Sequence, residues 1–179
     1  MATTSDDGAI RICNSATGVA LQTLKGNTNH IWAVAFSADS KLVASASQDG
    51  DFGACDLATG AMCYTFTDRS NIVTAIAFSP DGKLVAYACV DTTIALRESA
   101  TRMICCTLEG HSSYIDDVAF SSDNKLMASA SADTTVRLWD WVNRVTCHTL
   151  RGHSIVWAVA FSPDGRLMAS AYNDTTVTL

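Results

Sequence analysis

The sequence repeats itself every 42 residues, and no other property restricts its fold as much. The stretch SADTTVRLWD (131–140) has counterparts in SDDGAIRICN (5–14), SQDGDFGACD (47–56) and CVDTTIALRE (89–98), with a shorter one in YNDTTVTL (172–179). Asp7, Asp49, Asp91, Asp133 and Asp174 mark the interval in steps of 42, 42, 42 and 41, and Phe36, Phe78, Phe120 and Phe161 mark it again. The 179 residues hold about 4.3 such units. A period of this size means one supersecondary unit per repeat, too small to cover its own apolar faces, so that neighbours must cover them.

Residues 109–150 show what the unit is. Four short runs rich in Val, Ile, Ala, Thr and aromatic residues, Tyr114–Phe120, Leu126–Ser131, Thr135–Trp139 and Val145–Leu150, have the length and composition of strands. Turn residues separate them: Ser121-Ser122-Asp123-Asn124 here, and Ser79-Pro-Asp-Gly82 and Ser162-Pro-Asp-Gly165 in neighbouring copies. The unit is therefore a small antiparallel sheet of four strands. Both its faces are apolar, since Met127 and Ala128, like Ala119 and Phe120, point opposite ways along their strands. Sheets of this kind stack face to face around an axis, which predicts an all-β propeller. The chain divides as one unit over 1–179: a partial blade at 1–24, full repeats at 25–66, 67–108 and 109–150, and a partial repeat at 151–179.

Charge and composition remove several functional classes. Twelve basic against 18 acidic residues give a net charge of −6 with no basic stripe, which disfavours a nucleic acid partner. The N-terminus MATTSDDGAI lacks the basic start and apolar core of a secretory signal, and no run approaches the length of a membrane span. Seven cysteines follow the repeat, with Cys63, Cys105 and Cys147 at one position and Cys13 and Cys55 at another, and no CxxC pair occurs. A cysteine recurring once per repeat reads as a small buried hydrophobe on a strand, with no metal or other cofactor implied, in a reduced cytoplasmic setting. A metal-binding redox module is the other reading of these cysteines.

Gly110-His111, the FSPDG-type turns, Asp133 and Trp139-Asp140 at these spacings resemble the WD-repeat family of β-propellers, and the resemblance covers the whole chain. The wording TLEGHS, AFSPDGRLMASA and DTTVRLWD is similar to the closely matched repeats of fungal NACHT-type vegetative incompatibility proteins. The family resemblance implies a structural hydrogen-bond network of His111, Ser129, Asp133 and Trp139, repeated in type as His153, Ser170 and Asp174. It decays in the earlier copies. The first full repeat keeps Ser45 and Asp49 but has Asn27 and Cys55 at the other two positions; the second has Arg69, Tyr87, Asp91 and Arg97, for which an ion pair between Asp91 and an arginine is expected.

His111, Ser129 and Asp133 are also the residue types of a serine hydrolase, which is the enzymatic alternative. Periodicity speaks against it, because a catalytic site should occur once, and no GxSxG elbow surrounds either serine. The resemblance implies instead a non-enzymatic scaffold that binds a protein or peptide on the rim where each first strand begins and each turn aspartate sits. Those positions carry Trp32, Thr74, Asp116 and Trp157; His30, Ile72, Tyr114 and Ile155; and Asp6, Gln48, Val90, Ala132 and Asn173. They vary between copies, and aromatic anchors suit such a rim, although Trp32 and Trp157 also fit as core between blades. For the fungal receptors the implied task is recognition of self or non-self ligands. Matching Ala2–Ser5 to later copies places them on a second strand, so the chain supplies about 18 strands. The expectation is that two copies join in a homodimeric ring of about eight blades; a piece of a longer propeller and a closed monomer of four blades are the other readings.

Overall fold

The computed structural model describes residues 1–4, 8–25, 29–48, 50–67 and 72–179. All regular structure among them is β, in five antiparallel sheets. The first contains β1 (Ala2–Thr4), β2 (Ala9–Cys13) and β3 (Ala20–Lys25). The second contains β4 (Ile31–Phe36), β5 (Leu42–Ser47), β6 (Asp51–Asp56) and β7 (Met62–Thr67). The third follows with β8 (Val73–Phe78), β9 (Leu84–Cys89), β10 (Ile94–Glu98) and β11 (Ile104–Leu108), and the fourth with β12 (Ile115–Phe120), β13 (Met127–Ser131), β14 (Thr135–Asp140) and β15 (Val145–Arg151). The fifth contains β16 (Val156–Phe161), β17 (Met168–Tyr172) and β18 (Val177–Thr178). Within each sheet spatial order equals chain order, and the inner strands β4, β8, β12 and β16 touch in succession. This is the architecture of a propeller with about four and a half blades.

Each hairpin is held by its own sequence. In the first turn of each full repeat a serine hydroxyl donates to an aspartate two residues on, Ser37 to Asp39 at 2.7 Å, Ser79 to Asp81 at 2.6 Å and Ser121 to Asp123 at 2.7 Å, and Ser162 does the same to Asp164 at 2.6 Å. The turn then passes through positive φ at Ser40, Gly82, Asn124 and Gly165. The second turn places Gly8, Gly50, Thr92, Thr134 and Thr175 at positive φ. A β-branched residue is unusual there. It is held because the periodic aspartate accepts both the backbone N–H and the hydroxyl of the threonine just beyond, as Asp133 does from Thr135 at 3.0 and 2.6 Å.

The core is a series of seams. Along β9, Leu84, Ala86 and Ala88 pack toward the fourth sheet while Val85, Tyr87 and Cys89 pack toward the second. Met127 and Ala128 likewise serve opposite seams, as their alternation requires. Further clusters join the first sheet to the second through Ile10, Leu24, Ile31 and Val43, and the fourth to the fifth through Val136 and Val156.

Two β-bulges recur in phase with the repeat. In every inner strand the pairing skips one residue: Trp32, Thr74, Asp116 and Trp157. In every outer strand it skips Leu21, Cys63, Cys105 and Cys147. The second bulge corrects the reading of Cys63, Cys105 and Cys147 as buried hydrophobes. All three are exposed, because the bulge removes them from the pleat at the free edge of the sheet. Cys55 is buried as expected, and all seven thiols are free. Near the same edge, Arg102 and Arg144 reach back to the preceding sheet, donating from Nη2 to the carbonyls of Cys63 at 3.4 Å and Cys105 at 3.0 Å. They occupy the positive-φ turn position that Gly18 and Gly60 fill in the first two sheets.

Candidate functional site

In the fourth sheet β13 and β14 bring Ser129, Asp133 and Trp139 under His111. His111 Nδ1 lies 2.8 Å from Asp133 Oδ2, its Nε2 lies 2.7 Å from Ser129 Oγ, and Trp139 Nε1 donates to the same Oγ at 2.8 Å. A carboxylate only accepts and an indole N–H only donates, which orders the chain: His111 donates from Nδ1 to Asp133, Ser129 donates to Nε2, and Trp139 donates to Ser129. Burial holds the His111 ring below its ordinary pKa, so the ring is neutral. Burial by itself would raise Asp133, but bonds from the Thr135 hydroxyl, the Ser112 N–H and His111 outweigh it and hold the carboxyl at about 2. Gly110, at φ 154°, lets the chain enter against Arg137 and Trp139; a Cβ would sit 2.8 Å from Arg137 Nη1.

Chemically this is a closed proton-ordered chain. Ser129 is fully buried and Trp139 is 2% exposed above it, so the hydroxyl has no approach for a substrate. Among the described residues no group of three or more His, Cys, Asp and Glu is placed to hold a metal ion.

The other copies are built differently. In the fifth sheet His153, Ser170 and Asp174 match in type but do not form the network. His153 is exposed, Ser170 donates to Tyr172 Oη at 3.2 Å, and Asp174 is satisfied by Thr176. The cause is Tyr172, which stands where the fourth sheet has Ser131. Its ring lies so close over Gly152 that a Cβ there would be 2.1 Å from Cε1, and its hydroxyl takes the serine that a histidine would need. The space beside these residues is an open cleft of about 680 Å³.

In the third sheet Arg97 replaces the tryptophan. Its Nε donates to Tyr87 Oη at 3.0 Å, its Nη1 donates to the carbonyl of Arg102 at 2.9 Å, and its guanidinium lies 4.3 Å from the centre of the Phe66 ring. The guanidinium is thereby committed to the seam between the second and third sheets. The other arginine expected near Asp91, Arg69, lies outside the described residues. In the second sheet Ser45 is buried. Asn27 and Asp49 lie outside the described residues, as does Asp6 on the rim.

The rim positions form one structural unit in four sheets. The backbone N–H groups of Gln48, Val90, Ala132 and Asn173 donate to the carbonyls of His30, Ile72, Tyr114 and Ile155 at 2.9–3.0 Å. The next residue but one after each of those carbonyls is the bulge residue. Bulges re-aim side chains, often beside functional sites, and here they do so unequally. Trp32 is 52% exposed and Trp157 45%. His30 meets Trp32 edge to face at 5.8 Å, and Trp157 Nε1 donates to Asn173 Oδ1 at 3.1 Å. Gln48 and Tyr114 are exposed and Ile155 is half-buried. Thr74 departs from the rim expectation, because its Oγ1 turns inward and donates to the carbonyl of Ile115 on the next sheet. Asp116 is half-buried.

Sequence reasoning missed Asp117. Its Oδ2 accepts the Val159 N–H of the next sheet at 2.9 Å while Oδ1 accepts the Val118 N–H at 2.9 Å. The available signal was an aspartate where the other copies carry Ala33, Ala75 and Ala158.

The sequence model of the family described as "WD domain, G-beta repeat" matches residues 18–52, 60–96, 103–140 and 144–179. No curated protein matches the chain. From the second match onward, each begins with the outer strand of one sheet and continues through the first three strands of the next, β7 with β8–β10, β11 with β12–β14 and β15 with β16–β18. The repeating unit of sequence thus staples neighbouring sheets together.

Proposed function

The chain belongs to the WD domain, G-beta repeat family, and from that premise we propose that it is a non-enzymatic scaffold whose rim binds a protein or peptide. WD40 repeats generally mediate protein–protein interaction. The observation that carries the reading is the exposure of Trp32 and Trp157 at bulge positions whose occupants vary between copies. Large rigid aromatics bury much area on binding at small entropic cost. The hydrolase alternative gains no support, since Ser129 lies beneath Trp139.

The finer reading is a ligand-recognition region of the fungal immunity-like receptor kind, acting in the cytoplasm on self or non-self ligands. His30, Trp32, Gln48, Tyr114, Asp116, Ile155 and Trp157 are its contact residues, and His111, Ser129, Asp133 and Trp139 hold the blade beneath them. The same proposal includes a homodimeric ring of about eight blades. Exposed Val177 on β18 and Leu167 in the turn just before β17 support it, as apolar surface that a second copy would cover.

The test is selection of binders from a displayed peptide library against the intact chain, followed by comparison with Trp32→Ala, Trp157→Ala and an outer-strand control, Thr149→Ala. Selected peptides should lose at least tenfold in affinity on either tryptophan variant and nothing on the control. Binders indifferent to both tryptophans overturn the rim reading. Light scattering decides the ring: a mass near twice 19.0 kDa supports the homodimer, and a mass of 19.0 kDa at all concentrations removes it.

A further inference from the structure

The inner-strand bulge places Thr74 and Asp116 at equivalent points of consecutive sheets, and the two residues differ in one chemical respect. Thr74 uses its hydroxyl as a donor across the seam, to the carbonyl of Ile115 on β12, with the Ala88 carbonyl 3.3 Å away. One repeat later, the carbonyl in the place of Ile115 is that of Val156 on β16, and the one in the place of Ala88 is that of Ala130. By that equivalence the repeat sets two carbonyl acceptors opposite the Asp116 bulge. A hydroxyl suits that site, whereas an ionised carboxylate offers only lone pairs. Consistent with this, Asp116 Oδ2 is buried and has no hydrogen-bond partner. An unpaired buried oxygen of this kind calls for an explanation.

Among the described residues no cation is found to neutralise it. Of the elements packed on β12, the strands β8, β13 and β16 carry no ionisable side chain, and β9 carries only Tyr87 and Cys89, both turned to the opposite seam. The one other titratable group on β12 is Asp117, committed to Val159 and Val118. Burial, with the charge of Asp117 added, pushes the Asp116 carboxyl up to about 6, within the range of ordinary cellular acidification.

We propose that Asp116 is an acid-operated latch across the seam between β12 and β16: its protonated carboxyl donates to the β16 backbone as Thr74 donates to β12, and its ionised form releases that bond. The inference does not depend on the rim's ligand, but it bears on the rim, because Trp157 stands at the equivalent bulge of β16. A group with a raised pKa in the folded state adds stability that is complete below its unfolded value and is lost as pH rises through the folded one. The seam therefore tightens in acid.

The test compares the intact chain with Asp116→Thr, which installs the donor that the third sheet already uses, and Asp116→Asn. The thermal midpoint of the wild type relative to Asp116→Thr should fall by about 2–4 °C between pH 5 and pH 7.5. The protection factors of the amides at Val156–Val159, which remove the intrinsic pH dependence of exchange, should fall over the same interval in the wild type alone. Carboxyl carbon NMR of aspartate-labelled protein, with Asp116→Asn supplying the assignment, should give Asp116 a midpoint near 6. A midpoint at or below about 4, or a wild-type minus Asp116→Thr difference that does not change with pH, overturns the latch. The NMR titration decides the matter even if Asp116→Thr fails to fold.

Discussion

Trp139 donates its indole N–H to Ser129 Oγ at 2.8 Å, and this contact seals the polar chain from solvent. It satisfies the indole and frees the serine proton for His111 Nε2, 2.7 Å away. Residues that could serve hydrolysis elsewhere here hold β13 and β14 to the chain segment before β12.

Ser129→Ala removes one atom that two buried groups depend on. Trp139 Nε1 and His111 Nε2 lose their partner together, and each buried orphan costs about 1–3 kcal/mol. Chemical denaturation should show a loss in that range or above. Ser170→Ala, whose hydroxyl serves only Tyr172 among the bonds described, should lose markedly less.

The network also sets an acid limit. His111 has a folded pKa below its ordinary 6.5, so its stabilising neutral form is complete above 6.5 and is lost as pH falls. Asp133, held at about 2, contributes above its ordinary 3.8 and loses that contribution between 3.8 and 2. With the opposing effect of Asp116 removed in an Asp116→Thr background, stability should decline in two stages on acidification, and Asp133→Asn should shrink the lower one, to which turn aspartates with lowered carboxyls such as Asp123 and Asp164 also contribute. A lower stage undiminished in Asp133→Asn would show that Asp133 contributes nothing to it.

Thiol chemistry should divide the cysteines by bulge and pleat. Cys63, Cys105 and Cys147 are exposed, whereas Cys55, Cys89 and Cys106 are buried, and burial raises the Cys55 and Cys106 thiols. Reaction of the native protein with a chromogenic disulfide should show three fast thiols, located by peptide mapping at the outer bulges, three slow ones, and the half-buried Cys13 between them. Uniform reactivity would contradict the outer-strand register.

Arg144 combines a strained backbone with a bond to the preceding sheet. Its φ of 60° disfavours any side chain, and its guanidinium bonds the Cys105 carbonyl at 3.0 Å. Arg144→Ala loses the bond and keeps the strain, while Arg144→Gly loses the bond and relieves the strain. The alanine variant should be the less stable by about 1 kcal/mol. Equal stabilities would show that the position carries no strain.

The period of 42, four strands per full unit, the serine–aspartate turns and the two-faced strands were all readable from the amino-acid order. Each depends on neighbours in the chain: alternation decides which seam Met127 and Ala128 face, and turn chemistry decides where the strands stop. What tertiary structure alone decided lies across seams and in pairing register. Nothing local distinguishes Trp32 or Cys63 as a bulge residue, because the skipped pairing belongs to two strands at once. His153 repeats His111 in sequence but not in structure, because Tyr172, 19 residues away, fills the intervening space and claims Ser170. Asp117 and Arg144 acquire their roles from carbonyl and N–H groups of adjacent sheets. Local pattern determines a repeat's form, and the surface its neighbour presents determines what each polar side chain does.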